Sequence, residues 1–80
     1  MEKKELGLVG AAPLVTDSGT IRIQKGDILR EISTRKVLKV ASVYRKYEGG
    51  EYFVECENME PGSYGETKIL PLGALSLMIS

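Results

Sequence analysis

The chain carries no histidine. That omission removes the commonest general base, the commonest metal ligand, and every serine–histidine or cysteine–histidine nucleophile pair. Cys56 is the single cysteine. It falls at an apolar position of an alternating run, where a thiol acts as a small buried hydrophobe; a reactive thiol needs exposure and positive neighbours, which Arg45 or Lys46 would have to supply. Glu51, Glu55, Glu57 and Glu60 cluster in one stretch, and alternation puts Glu55 and Glu57 on one strand face. Paired carboxylates can exchange protons or hold Ca²⁺ or Mg²⁺. The preceding stretch offers Lys39, Arg45 and Lys46 as counter-charges, so this group reads as a salt-bridged, solvated face. The expectation is a chain with no catalytic residue, no bound metal and no cofactor.

Binding chemistry is better represented. Arg35, Lys36, Lys39, Arg45 and Lys46 form a basic stripe with no acid between residues 32 and 47, and Tyr44 and Tyr47 interleave with it. Cations with interspersed aromatics on a small β framework can bind nucleic acid by charge and base stacking. A second group is apolar. Phe53 and Met59 fall on the strand face opposite Tyr52, Val54 and Cys56, and Tyr64 lies in the Gly62-Ser63-Tyr64-Gly65 loop. Phe53, Met59 and Tyr64 are therefore candidates for an exposed patch that docks on a protein partner or a second copy. The Gly62–Gly65 loop does not read as a phosphate cradle, because the Lys-Ser/Thr pair and the strand-to-helix setting are missing.

The elements that would position these groups are strands. Ile21 and Ile23 alternate with Arg22 and Gln24, the pattern of a half-buried strand. Lys25-Gly26-Asp27 makes a turn, Ile28 to Ile32 is a second strand piece, and Ser33-Thr34-Arg35 is a polar break. Residues 36–47 are rich in Val and Tyr and form the longest strand, although Val37, Val40 and Val43 also match a helical spacing. A bulge near Ala41-Ser42 would put Val40 and Val43 on one face. Glu48-Gly49-Gly50-Glu51 reads as a tight hairpin, since the favoured turns need positive φ. A turn centred on the glycines pairs Tyr47 with Tyr52, Lys46 with Phe53, Tyr44 with Glu55 and Val43 with Cys56. It also sets Glu48 against Glu51, a repulsion that a longer loop would relieve. Further strands are expected over residues 67–70 and 74–79, with a turn or single 3₁₀ turn at Pro71-Leu72-Gly73. Residues 1–19 are broken by Gly7, Gly10, Pro13, Ser18 and Gly19. They are expected as a flexible or loosely docked arm, with a short strand near Leu6 to Val9.

Composition sets the outer bounds. Eighty residues with 42% hydrophobic and 28% charged side chains make one small globular domain. The formal net charge of zero argues against domain-wide attraction to nucleic acid or anionic lipid. Residues 1–48 nevertheless hold ten Lys/Arg and six Asp/Glu, and residues 49–80 one Lys and five Glu, so the halves are +4 and −4. One cysteine allows no internal disulfide. No apolar run reaches the length of a membrane span, and Glu2 and Glu5 do not suit a signal peptide. The reading is cytoplasmic.

Five to six short antiparallel strands with frequent Gly/Pro turns predict an all-β barrel or sandwich over residues 20–80, and at this size a small barrel, closed to remove exposed edges, is the expectation. The Lys25-Gly26-Asp27-Ile28 turn, the long Val-rich strand, the Gly-Gly hairpin and the Ile69-Leu70-Pro71-Leu72 segment resemble SH3-like small barrels, including the KOW and Tudor types. The resemblance implies a binding module without fixing its ligand, because that fold hosts protein binders and nucleic-acid binders alike. The function expected is a non-enzymatic module that docks on a protein partner or self-associates. The alternative is a nucleic-acid binder using residues 35–47, and a carboxylate or thiol site ranks third.

Overall fold

The computed structural model describes residues 6–47 and 50–77. Those residues form an all-β protein of eight strands: β1 (Leu6–Val9), β2 (Ala11–Thr16), β3 (Gly19–Gln24), β4 (Ile28–Glu31), β5 (Val37–Lys46), β6 (Tyr52–Asn58), β7 (Thr67–Pro71) and β8 (Leu75–Leu77). One 3₁₀ turn, Leu72–Ala74, joins the last two. The stretch 37–46 is a strand despite its three-residue valine spacing, since β-branched side chains favour the pleated surface. No helix among the described residues is long and apolar enough to cross a membrane.

All pairings among the described residues are antiparallel. The main sheet runs β7-β6-β5-β4-β8, and β1 also pairs with β5; β2 and β3 make a separate two-stranded sheet. β5 is long enough to serve two partners along one edge. Its first half pairs with β4 and its second half with β1. The expected closed barrel is not what forms among the described residues. The hydrogen-bonded path ends at β7 and β8, and the separate β2–β3 hairpin supplies a second layer.

That hairpin corrects the expectation for the N-terminal segment. Ala12, Leu14 and Ile23 are 2%, 6% and 1% exposed and join the core with Leu29, Leu38, Val40, Val43, Val54, Cys56 and Leu75. Residues 6–16 are thus paired strands, not an irregular arm, and the short strand expected near Leu6 to Val9 is β1. The part of that expectation falling on residues 1–5 lies outside the described residues. Asp17 and Ser18 turn the β2–β3 hairpin as their types suggest. The Thr16 hydroxyl donates to the Gly19 carbonyl at 2.8 Å, and Gly19 takes φ +128°.

The bulge is where the valines require it. The β5–β6 register shifts between Val40 and Ser42, and Val40 and Val43 both point into the core, 1% and 2% exposed. The pairing beyond it differs from the sequence expectation by two positions: Tyr44 faces Phe53, Arg45 faces Tyr52 and Val43 faces Val54. The Lys46 N–H donates to the Glu51 carbonyl at 2.7 Å, one step beyond the Arg45–Tyr52 pair. The expected Glu48–Glu51 opposition involves a residue outside the described ones.

Candidate functional site

β4 exposes its alternation to two environments. Leu29 and Glu31 face inward, 1% and 6% exposed, while Ile28 is 40% exposed on the other side and Ile32, in the turn after β4, is 56% exposed. Glu31 is a carboxylate inside the core layer, and it has a full set of donors. Lys68 Nζ lies 2.7 Å from Oε1, the Thr34 hydroxyl donates to the same oxygen at 2.9 Å, and the Ser33 hydroxyl donates to Oε2 at 3.4 Å. The Lys68 ammonium holds the Glu31 carboxyl below its usual range; burial opposes this, and Thr34 adds to the lowering. Lys68 sits on β7, which lies three strands from β4 in the hydrogen-bonded order. On a flat sheet that separation is about 14 Å, too far for one contact. The ion pair therefore spans the concave side of a strongly curled sheet.

Cys56 shares that interior. It is 0% exposed, its Sγ lies 3.7 Å from the Val54 carbonyl, and burial pushes its thiol up to about 11, with the Glu31 charge adding to the rise. Such a thiol is protonated at neutral pH and is a poor nucleophile. The glutamates expected as a carboxylate group are dispersed. Glu55 accepts from the Tyr44 hydroxyl at 3.2 Å, Glu57 stands opposite Lys39, Glu60 accepts the Val37 N–H at 3.2 Å, and Glu51 is exposed at the hairpin. No group of three or more Cys, Asp or Glu side chains that could hold a metal ion occurs among the described residues.

The basic stripe does not make one surface. Arg35 and Lys36 are exposed in and beside the β4–β5 turn, where Arg35 takes φ +62° and donates its N–H to the Glu31 carbonyl at 2.7 Å. Lys39 faces outward between Ile28 and Glu57. Past the bulge, Tyr44 and Lys46 lie on one face and Arg45 on the other, 5.7 Å above the Tyr52 ring. Tyr47 is 76% exposed, with its ring over Gly7; a Cβ there would lie 2.8 Å from the ring, so this approach needs glycine.

Of the three apolar candidates, Phe53 is corrected by the structure. It is only 7% exposed. Because β6 is paired on both edges, Tyr44 on one side and Pro71 on the other stand directly beside it. Met59 is half-buried, and its N–H donates to the Val37 carbonyl at 3.2 Å. Tyr64 is 68% exposed. Its loop is built on Asn58, whose Nδ2 donates to Ser63 Oγ at 2.7 Å, whose Oδ1 accepts from Glu60 N–H at 2.9 Å, and whose carbonyl accepts from Gly65 N–H at 3.0 Å.

Two surfaces were not read from the sequence. The first is an outward row across four strands, Leu8–Tyr44–Phe53–Pro71, joined by direct cross-strand pairing. Its outer end, Leu8, is 72% exposed. The second is the outward side of β4, where Arg30 lies between Ile28 and Ile32. The Gly and Pro breaks near β1 hid the first. The run Ile28-Leu29-Arg30-Glu31-Ile32 hid the second, because each set of alternate positions holds at least one aliphatic residue and one charge. No protein-family model matches the chain, and neither a curated protein nor a solved structure matches it.

Proposed function

We propose that this chain is a non-enzymatic binding module that docks on a protein partner through the outward row Leu8–Tyr44–Pro71 packed around Phe53. The row carries the reading. It places an aliphatic side chain that is 72% exposed at the end of an aromatic strip that the sheet already holds in place. A preorganised aromatic and aliphatic surface gains affinity because little side-chain freedom is lost on contact. The absence of histidine and the sealed, protonated Cys56 support a role without catalysis. Zero net charge and a basic stripe divided between faces favour a protein over a nucleic acid as partner. The single cysteine, kept as a buried thiol, suits a cytoplasmic setting.

The test is a photo-crosslinking residue placed at position 8 and, as a control, at position 17 on the β2–β3 turn. A discrete protein adduct, or a covalent dimer of the chain, from position 8 alone supports the reading. Equal labelling from the two positions, or none from either, ends it.

A further inference from the structure

Arg30 is a cation without a counter-charge. Its direct cross-strand neighbours are Val37 and Ser76, neither of which carries charge. No ion pair or hydrogen bond joins its side chain to a described residue, and its Nε is shut from solvent with no acceptor. Enclosed donors in folded proteins nearly always have partners, and an ionised one left alone is costly. On either side of Arg30, Ile28 at the start of β4 is 40% exposed, and Ile32, in the turn after β4 with its N–H donated to the Ala74 carbonyl at 2.9 Å, is 56% exposed. Lys39, opposite Ile28, adds a second positive charge, with Glu57 next across the sheet.

We infer that the outward face of β4 is a binding surface for an extended protein segment in which an acidic side chain lies between aliphatic ones. Arg30 supplies the guanidinium for the carboxylate, and Ile28 and Ile32 supply the apolar contacts to its flanks. A guanidinium presents its terminal nitrogens as a planar fork that matches a carboxylate with two parallel hydrogen bonds. An extended segment laid along a strand places alternate side chains at the same spacing as Ile28, Arg30 and Ile32. The aliphatic flanks favour a peptide over single-stranded nucleic acid, which is held by aromatic stacking. This surface is separate from the Leu8 row, so the two readings stand or fall apart.

The experiment is an amide chemical-shift titration of the isotopically labelled full chain with two peptides, acetyl-Ile-Ser-Glu-Ser-Ile-amide and acetyl-Ile-Ser-Gln-Ser-Ile-amide, whose first, third and fifth side chains share one face when extended, and with a short oligothymidylate. The acidic peptide should shift Ile28, Arg30, Ile32 and Val37 and bind about tenfold more tightly than the glutamine peptide. Arg30→Met should remove that preference, while Ile28→Ser should weaken both peptides alike; the spectra themselves report whether each variant is folded. Leu8→Glu should leave the titration unchanged. Equal binding of the two peptides, no binding of either, an unaltered preference in Arg30→Met, or the same shifts from oligothymidylate would each overturn the inference.

Discussion

Arg30 and Glu31 are adjacent on one short strand and have opposite fates. Glu31 points inward, is 6% exposed, and is met by an ammonium and two hydroxyls. Arg30 points outward, with an enclosed Nε and no acceptor. A charge inside a protein is tolerated when its polar neighbours replace the water it has lost. Glu31 meets that condition and belongs to the fold. Arg30 does not meet it at Nε, which is shut from solvent, and it lies between exposed isoleucines. Two neighbouring residues thus carry a satisfied charge on one face and an unsatisfied donor on the other.

The contrast can be broken by substitutions, and the largest effect belongs to the inward aliphatic position. Leu29→Ala should cost about 2–5 kcal/mol against a total stability of roughly 4–12 kcal/mol for a domain of this length, whereas Ile28→Ala should fall within about 0.5 kcal/mol of wild type. Urea unfolding of the two variants measures both, and similar losses would erase the distinction between the faces. Next come Glu31→Gln and Lys68→Met, each expected to destabilise by about 1–3 kcal/mol. Lys68 is 46% exposed, so the pair should fall short of a fully enclosed one. A double-mutant cycle should return a coupling between these positions, and additive losses would show that the contact contributes little.

Acid should act through the same carboxylate. The folded state holds Glu31 below its ordinary value of 4.5. The unfolded chain therefore takes up the proton first as pH falls. The contribution is complete above the ordinary value and disappears as pH drops through the lowered folded one. Wild type should thus lose its advantage over Glu31→Gln below about pH 4.5, and a stability difference between the two that is flat down to pH 2 would rule this out. The smallest effect is expected at Arg30. Arg30→Met should change stability by about 0.5 kcal/mol or less, or raise it slightly, since it deletes an unpartnered donor. A large loss would mean that Arg30 is a structural residue after all.

Strand type and turn chemistry were legible where local sterics decide. Val40 and Val43 can share a face only if a residue is inserted between them, and the register shift lies there. Gly49-Gly50 between two Val- and Tyr-bearing runs marked the hairpin, but not its register, because the length of the connection is set by which pairs pack best. Centring the turn on the glycines placed Tyr44 against Glu55; the Lys46–Glu51 bond makes the connection longer and puts Phe53 there. The N-terminal strands were hidden by residues that normally interrupt strands. Pro13 is accommodated at an exposed position opposite Arg22 in a sheet of only two strands, where each strand has an open edge. Gly7 is accommodated because the Tyr47 ring occupies the space a Cβ would take.

Composition alone supplies a β framework with no histidine and one thiol, because strand propensity and reactive groups are properties of individual residues. Whether that thiol is reactive, and which charge on β4 is enclosed, depended on the fold. Alternation divides Ile28-Leu29-Arg30-Glu31-Ile32 into two faces of nearly equal polarity and cannot say which is inside. The choice falls to contacts far apart in the chain, above all Lys68, which reaches Glu31 from 37 positions away across the curl of the sheet.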